Sequence, residues 1–80
     1  MNVIAVASAT FAALAYDEDR EILQLEFRSG AIYRYFGVPA VLHEGLLRAP
    51  SKGLYFNRVI RGCFAYAQAL NAGLQKAGQA

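Results

Sequence analysis

From Glu21 to Arg28 the chain alternates without a break. Leu23, Leu25 and Phe27 fall on one side, and Ile22, Gln24, Glu26 and Arg28 on the other. A period of two is the pattern of a strand with one buried face. Residues 31–36, AIYRYF, are rich in aromatics and contain β-branched Ile32, so they read as its hairpin partner. Residues 10–16, TFAALAY, read as an earlier strand, weakened by alanine. The polar run Asp17-Glu18-Asp19-Arg20 is the turn between them.

The turn before AIYRYF decides which way its tyrosines point. A two-residue loop at Ser29-Gly30 would force Ser29 to positive φ and put Tyr33 and Tyr35 on the polar side. A three-residue loop, Arg28-Ser29-Gly30, puts glycine at the left-handed position that closes such turns. That register pairs Phe27 with Ala31, Leu25 with Tyr33 and Leu23 with Tyr35. It gathers the large groups on one face, and glycine chemistry favours it. Arg34, Ile22, Gln24 and Phe36 then share the opposite face, which is unusually apolar. Such a face calls for a cover, either the tail or a partner.

Gly37-Val38-Pro39 ends the strand, and Pro39 suits the first position of a helix. Over 39–48, Val41, Leu42, Leu46 and Ala49 form an inner side, with His43, Glu44 and Arg48 outward. Gly45 costs that helix about 1 kcal/mol relative to alanine, which marks a close backbone approach. Ala49-Pro50 stops it, and Ser51 is a good N-cap for the next. Phe56, Val59, Ile60 and Cys63 recur as its inner stripe, leaving Lys52, Arg58 and Arg61 outside. A further short helix is read over 65–72, with frayed residues after it. The fold expected is α+β: a three-stranded antiparallel β-meander packed against two or three short helices. The domain spans residues 1–66, and an Ala-rich, part-helical tail spans 67–80.

Composition narrows the class. Eighty residues, 56% hydrophobic and 18% charged, make one folding domain with little stability to spare. No apolar run reaches the roughly 20 residues of a membrane helix. VIAVASATFAALA ends in a signal-peptidase-like Ala13-Leu14-Ala15. No basic residue precedes it, however, and Ser8 and Thr10 interrupt it, so a cytoplasmic protein is expected. A lone Cys63 fits that compartment.

Net charge is +2, unevenly placed. Asp17, Glu18, Asp19, Glu21 and Glu26 are five of the six acids, while seven basic residues follow Phe27 against Glu44 alone. A one-sided basic surface attracts phosphates by counterion release. Ordinary solvated helix faces explain the same charges, and no dense basic cluster is present.

Little here suggests catalysis. His43 is the only histidine, and Cys63 is placed on an inner stripe, whereas a reactive thiol needs exposure and a lowered pKa. One histidine and one cysteine cannot supply a four-ligand zinc site. No catalytic residue, cofactor or metal is expected. Ser51 to Leu54 leave free N–H groups beside Lys52 where an anion could sit, but an ordinary capped helix is the commoner reading. Asn57 is read as tying its helix to the preceding loop or hairpin, in preference to touching a ligand. Arg61 is read as a donor to a sheet-edge carbonyl.

Phe27, Gly30, Tyr33 and Tyr35 form an F-x-x-G-x-x-Y-x-Y motif. Val38-Pro39 follows, then A-x-S-K-G-x-Y-F-N-x-x-I-R from Ala49 to Arg61 with Ser51, Gly53, Phe56, Asn57 and Ile60. Together these resemble the KTSC domain, a family named for the C-terminus of some lysyl-tRNA synthetases and also found as small bacterial and phage proteins. The likeness runs from about Thr10 to Tyr66. It implies a compact α+β domain without an established activity, for which RNA binding has been suggested. Pro50 departs from the family's Ala-Ser, and the Ala-rich tail lies outside its pattern.

Two functions of different classes follow. One is an RNA-binding module, for tRNA or single strands, whose phosphate contacts are Arg34, Lys52, Arg58 and Arg61, with stacking from Phe36 or Tyr55. The other is a protein-interaction module, a homodimer among its forms, using Ile22, Ile32 and Phe36 or the tail. Neither involves a membrane. The charge asymmetry favours the first.

Overall fold

The computed structural model of the chain describes residues 1–69. The elements in order are β1 (Asn2–Ala5), β2 (Phe11–Asp17), β3 (Ile22–Phe27), β4 (Ile32–Phe36), α1 (Ala40–Arg48), α2 (Lys52–Tyr55) and β5 (Tyr66–Ala69). Between α2 and β5, Phe56–Ile60 continue the helix as a π-helical turn. The fold is α+β, but its antiparallel sheet has five strands in chain order, where the sequence pattern gave three. The two extra strands are the edges. Each has only four residues and contains alanine, so local propensity is silent, and cross-strand pairing decides.

β5 replaces part of the helix expected over 65–72 and crosses the expected domain boundary at 66/67; the remainder of the expected tail lies outside the described residues. Ala13-Leu14-Ala15, the signal-peptidase-like triplet, is the buried middle of β2. Among the described residues no helix is long and apolar enough to cross a membrane.

The β3–β4 hairpin has the three-residue loop. Phe27 N–H donates to the Ala31 carbonyl at 2.9 Å, Gly30 N–H donates to the Phe27 carbonyl at 2.9 Å, and Gly30 has φ +98°. Leu23 pairs with Tyr35 and Leu25 with Tyr33. This register continues across all five strands. Asn2–Tyr16–Leu23–Tyr35–Tyr66 and Ile4–Leu14–Leu25–Tyr33–Gln68 are rows on the inner face. Val3–Ala15–Gln24–Arg34–Ala67 and Ala5–Ala13–Glu26–Ile32–Ala69 are rows on the outer face.

The described helices pack on the inner face. Phe11, Leu14, Leu23, Leu25, Tyr35, Val38, Leu46, Phe56 and Ile60 make one core cluster. Pro39 is the extended N-cap of α1 rather than its first helical residue. α1 is rolled from its expected phase: Val41 is exposed, while Leu42 and Leu47 pack on the core around Leu46. His43, expected outward, stacks on Tyr16 with ring centroids 4.5 Å apart. Its flat ring joins an aromatic face that a hydropathy pattern cannot register. Gly45 is a point of close approach, since a Cβ there would run into the Tyr55 hydroxyl. Cys63 is exposed, not core. The helix ends at Ile60 and Gly62 turns at φ +80°, so the i+7 position lies beyond the last turn.

Candidate functional site

Phe27 and Tyr33 project from the inner face at the hairpin end of the sheet, and Tyr35 continues this wall along β4 to the level of Leu23. β5 sets Tyr66 beside them, 5.8 Å from Tyr33 and stacked 5.4 Å from Tyr35. Phe56 meets Phe27 and Tyr35 edge-on from the helical side, at 5.9 and 5.5 Å. This aromatic wall bounds an open cleft of about 740 Å³ whose other side is built from Ser51, Gly53, Leu54, Asn57, Arg61 and Gly62. Eight residues of the motifs (Phe27, Tyr33, Tyr35, Ser51, Gly53, Phe56, Asn57 and Arg61) thus line one cavity.

The π-turn positions the polar side. Arg61 N–H donates to the carbonyl of Phe56, five residues back, at 2.8 Å. Such turns recur at functional sites because they re-aim side chains out of the α-helical phase. Here Asn57 and Arg61 stand together at the cleft, both exposed, with Arg61 Nη1 donating to Asn57 Oδ1 at 3.4 Å. Asn57 therefore does not tie its helix to the loop or hairpin, and Arg61 donates to Asn57 instead of a sheet-edge carbonyl. Burial, with lesser contributions from Tyr66 and Tyr33, raises the pKa of the Tyr35 phenol, and the Arg61 guanidinium opposes the shift. That charge is felt inside the cleft.

Ser51 Oγ accepts from Leu54 N–H at 3.3 Å, an ordinary N-cap, and a Cβ on Gly53 would strike the Thr10 side chain. Gly53 lets the helix start lie against Thr10, just before β2. Lys52 turns away from this helix start. Its Nζ donates to the carbonyls of Leu47 and Ala49, both at 3.1 Å, closing the C-terminus of α1. Arg34 lies on the outer face, its Nε donating to Gln24 Oε1 at 2.7 Å. Arg58 is exposed, three residues before Arg61. Of the four cations expected to share a surface, only Arg58 and Arg61 are exposed on the same helical segment. The alternation of β4 sends Arg34 to the far side, and the carbonyls ending α1 engage Lys52.

Tyr66 escaped sequence reading, because one aromatic in an Ala-rich stretch carries no strand period. A second, smaller cavity of about 340 Å³ sits beside the Tyr16–His43 stack, with Glu18 and Glu44 on its wall. Among the described residues, no three His, Cys, Asp or Glu side chains come together as a metal site.

The family model of the KTSC domain matches residues 7–64. The chain belongs to the KTSC domain family. A lysine–tRNA ligase of Nostoc sp. is 50% identical over 56 residues, covering 70% of this chain but only 10% of the ligase. An uncharacterized protein of Stutzerimonas stutzeri is 43% identical over 61 residues, 76% of this chain and 86% of its own. A crystal structure of a KTSC domain protein from Yersinia pestis superposes with a TM-score of 0.82 at 34% identity, covering 85% of this chain and 96% of that one. The KTSC unit is therefore found both as a near-complete small protein and as a minor part of a large ligase.

Proposed function

We propose that this KTSC domain is a binding module without chemistry of its own, and that its ligand is single-stranded RNA held in the aromatic cleft. The observation that carries this reading is the meeting of Tyr33 and Tyr66 with Arg61 and Asn57 in one open cavity. A base has a π-face that stacks on tyrosine for about 1–3 kcal/mol, whatever its identity. The phosphate beside it takes Arg61, with Arg58 next along the helix. Asn57 offers an amide to a base edge or a sugar hydroxyl. The lysine–tRNA ligase relatives, whose substrate is an RNA, support the same ligand class, and with it a cytoplasmic setting. Arg34 and Lys52, engaged elsewhere, are left out of the phosphate set.

Anisotropy of a labelled single-stranded RNA tests this. Tyr66→Ala should weaken binding about tenfold, the equivalent of about 1.4 kcal/mol. Arg61→Ala should weaken it and flatten the salt dependence by about 0.7 in logarithmic slope, the loss of one phosphate contact. Lys52→Ala should leave affinity unchanged. No binding at low salt, or binding indifferent to Tyr66 and Arg61, would falsify the reading.

A further inference from the structure

Among the described residues the outer face of the sheet has no helix against it, yet it is not the polar face that an exposed antiparallel sheet normally turns to water. Its positions are Val3, Ala5, Ala13, Ala15, Ile22, Ile32, Phe36, Ala67 and Ala69, interrupted by Gln24, Glu26, Arg34 and Asp17. Val3 is 62% and Phe36 40% exposed, Ile22 and Ile32 are half-buried, and Ala13 and Ala15 are buried beneath their larger neighbours. We infer that this face pairs with the same face of a second copy, making a symmetric dimer through sheet-on-sheet packing.

Three features select a second copy over another partner. First, the central rows carry alanine at both positions of β2 and β5 and at Ala5 of β1, so two such sheets can close to the about 10 Å spacing of packed sheets with few large side chains colliding over those strands. Secondly, Glu26 and Arg34 are diagonal neighbours near the middle of the face, and among the described residues neither has an ion-pair partner; Arg34 bonds only to Gln24. A twofold axis between the sheets, perpendicular to that diagonal, sets each Arg34 over Glu26 of the other copy. Both charges are answered at once, and the strands cross near a right angle, one of the two usual packings of sheets. Thirdly, five strands at about 4.8 Å and about five residues at about 3.4 Å give a face of about 24 by 17 Å. That is small for an obligate dimer and suits a reversible, concentration-dependent one. The clefts lie on the inner faces, so pairing leaves both open, and the dimer does not depend on what they bind.

Sedimentation velocity on the full chain over a micromolar-to-millimolar series provides the test. The weight-average sedimentation coefficient should climb towards the dimer value. Arg34→Glu or Glu26→Arg alone should move the midpoint to about tenfold higher concentration or beyond, as expected for a broken interfacial charge pair. The double variant with both charges exchanged should bring the midpoint back. Phe36→Glu, a surface change that spares the core, should also abolish association while the melting temperature of the monomer holds. A monomer at every concentration overturns the inference, whether the face is then bare or covered by residues 70–80. So does a dimer indifferent to Arg34 and Phe36, or a double reversal that fails to restore pairing.

Discussion

Gly45 and Gly53 are each fixed by one neighbour, Tyr55 and Thr10 respectively, with no room for a Cβ. Gly45→Ala gains about 1 kcal/mol of helix propensity yet meets a clash that typically costs about 1–3 kcal/mol, so net destabilisation is expected. Replacing Tyr55 by Phe in that background should recover part of the loss, because the hydroxyl is the nearest atom; paired thermal melts measure it. His43 gives a second residue-level expectation. Burial against Tyr16 and α1 lowers its pKa below the usual 6.5, with Glu44 opposing weakly. The unfolded chain therefore binds the proton more readily, so His43 costs nothing above about pH 6.5 and subtracts stability as pH falls through the folded value. His43→Gln should flatten that acidic limb of the stability–pH curve, and an unchanged limb would reject the assignment. Close approach at Gly45 was legible in the sequence, since glycine inside a helix needs a reason. The partner at His43 was not, because ring stacking across 27 residues of chain leaves no local trace.

The hairpin shows where local chemistry suffices. Gly30 at φ +98° closes a three-residue loop and sets the register that turns Tyr33 and Tyr35 inward. Gly30→Ala should cost about 1–2 kcal/mol, since a side chain is strained there. Ser51 was equally readable as a cap. What failed were elements whose stability is tertiary: β1 and β5 exist because β2 and β4 offer free edges, and Ala-rich strings do not declare which edge they will join. The π-turn is silent for a different reason. One extra residue in a helical turn leaves Phe56 and Ile60 both buried, as an α-helix would, and changes only where Asn57 and Arg61 point. Core residues of the site were therefore visible as motif, while its recognition edge depended on geometry that periodicity cannot express.

Charge is distributed along the whole molecule in a way that bears on how RNA would approach. Glu18, Asp19 and Glu21 occupy the β2–β3 turn, next to Asp17 at the end of β2, whereas Phe27, Ser29 and Ala31 form the mouth of the cleft by the β3–β4 hairpin, at the opposite end of β3. The six residues of β3 put about 20 Å between these ends. At physiological salt the screening length is about 8 Å, and the acids are invisible to a strand entering the cleft from its hairpin mouth. At about 0.01 M it is about 30 Å, and they push the polyanion away. Glu18→Gln with Asp19→Asn, both exposed and remote from the cavity, should therefore raise the RNA association rate at low salt and leave it unchanged at physiological salt. Stopped-flow anisotropy at the two ionic strengths separates the cases. A rate increase that persists at physiological salt would mean that RNA passes within a screening length of the β2–β3 turn, and entry from the hairpin end of the cleft would then be wrong.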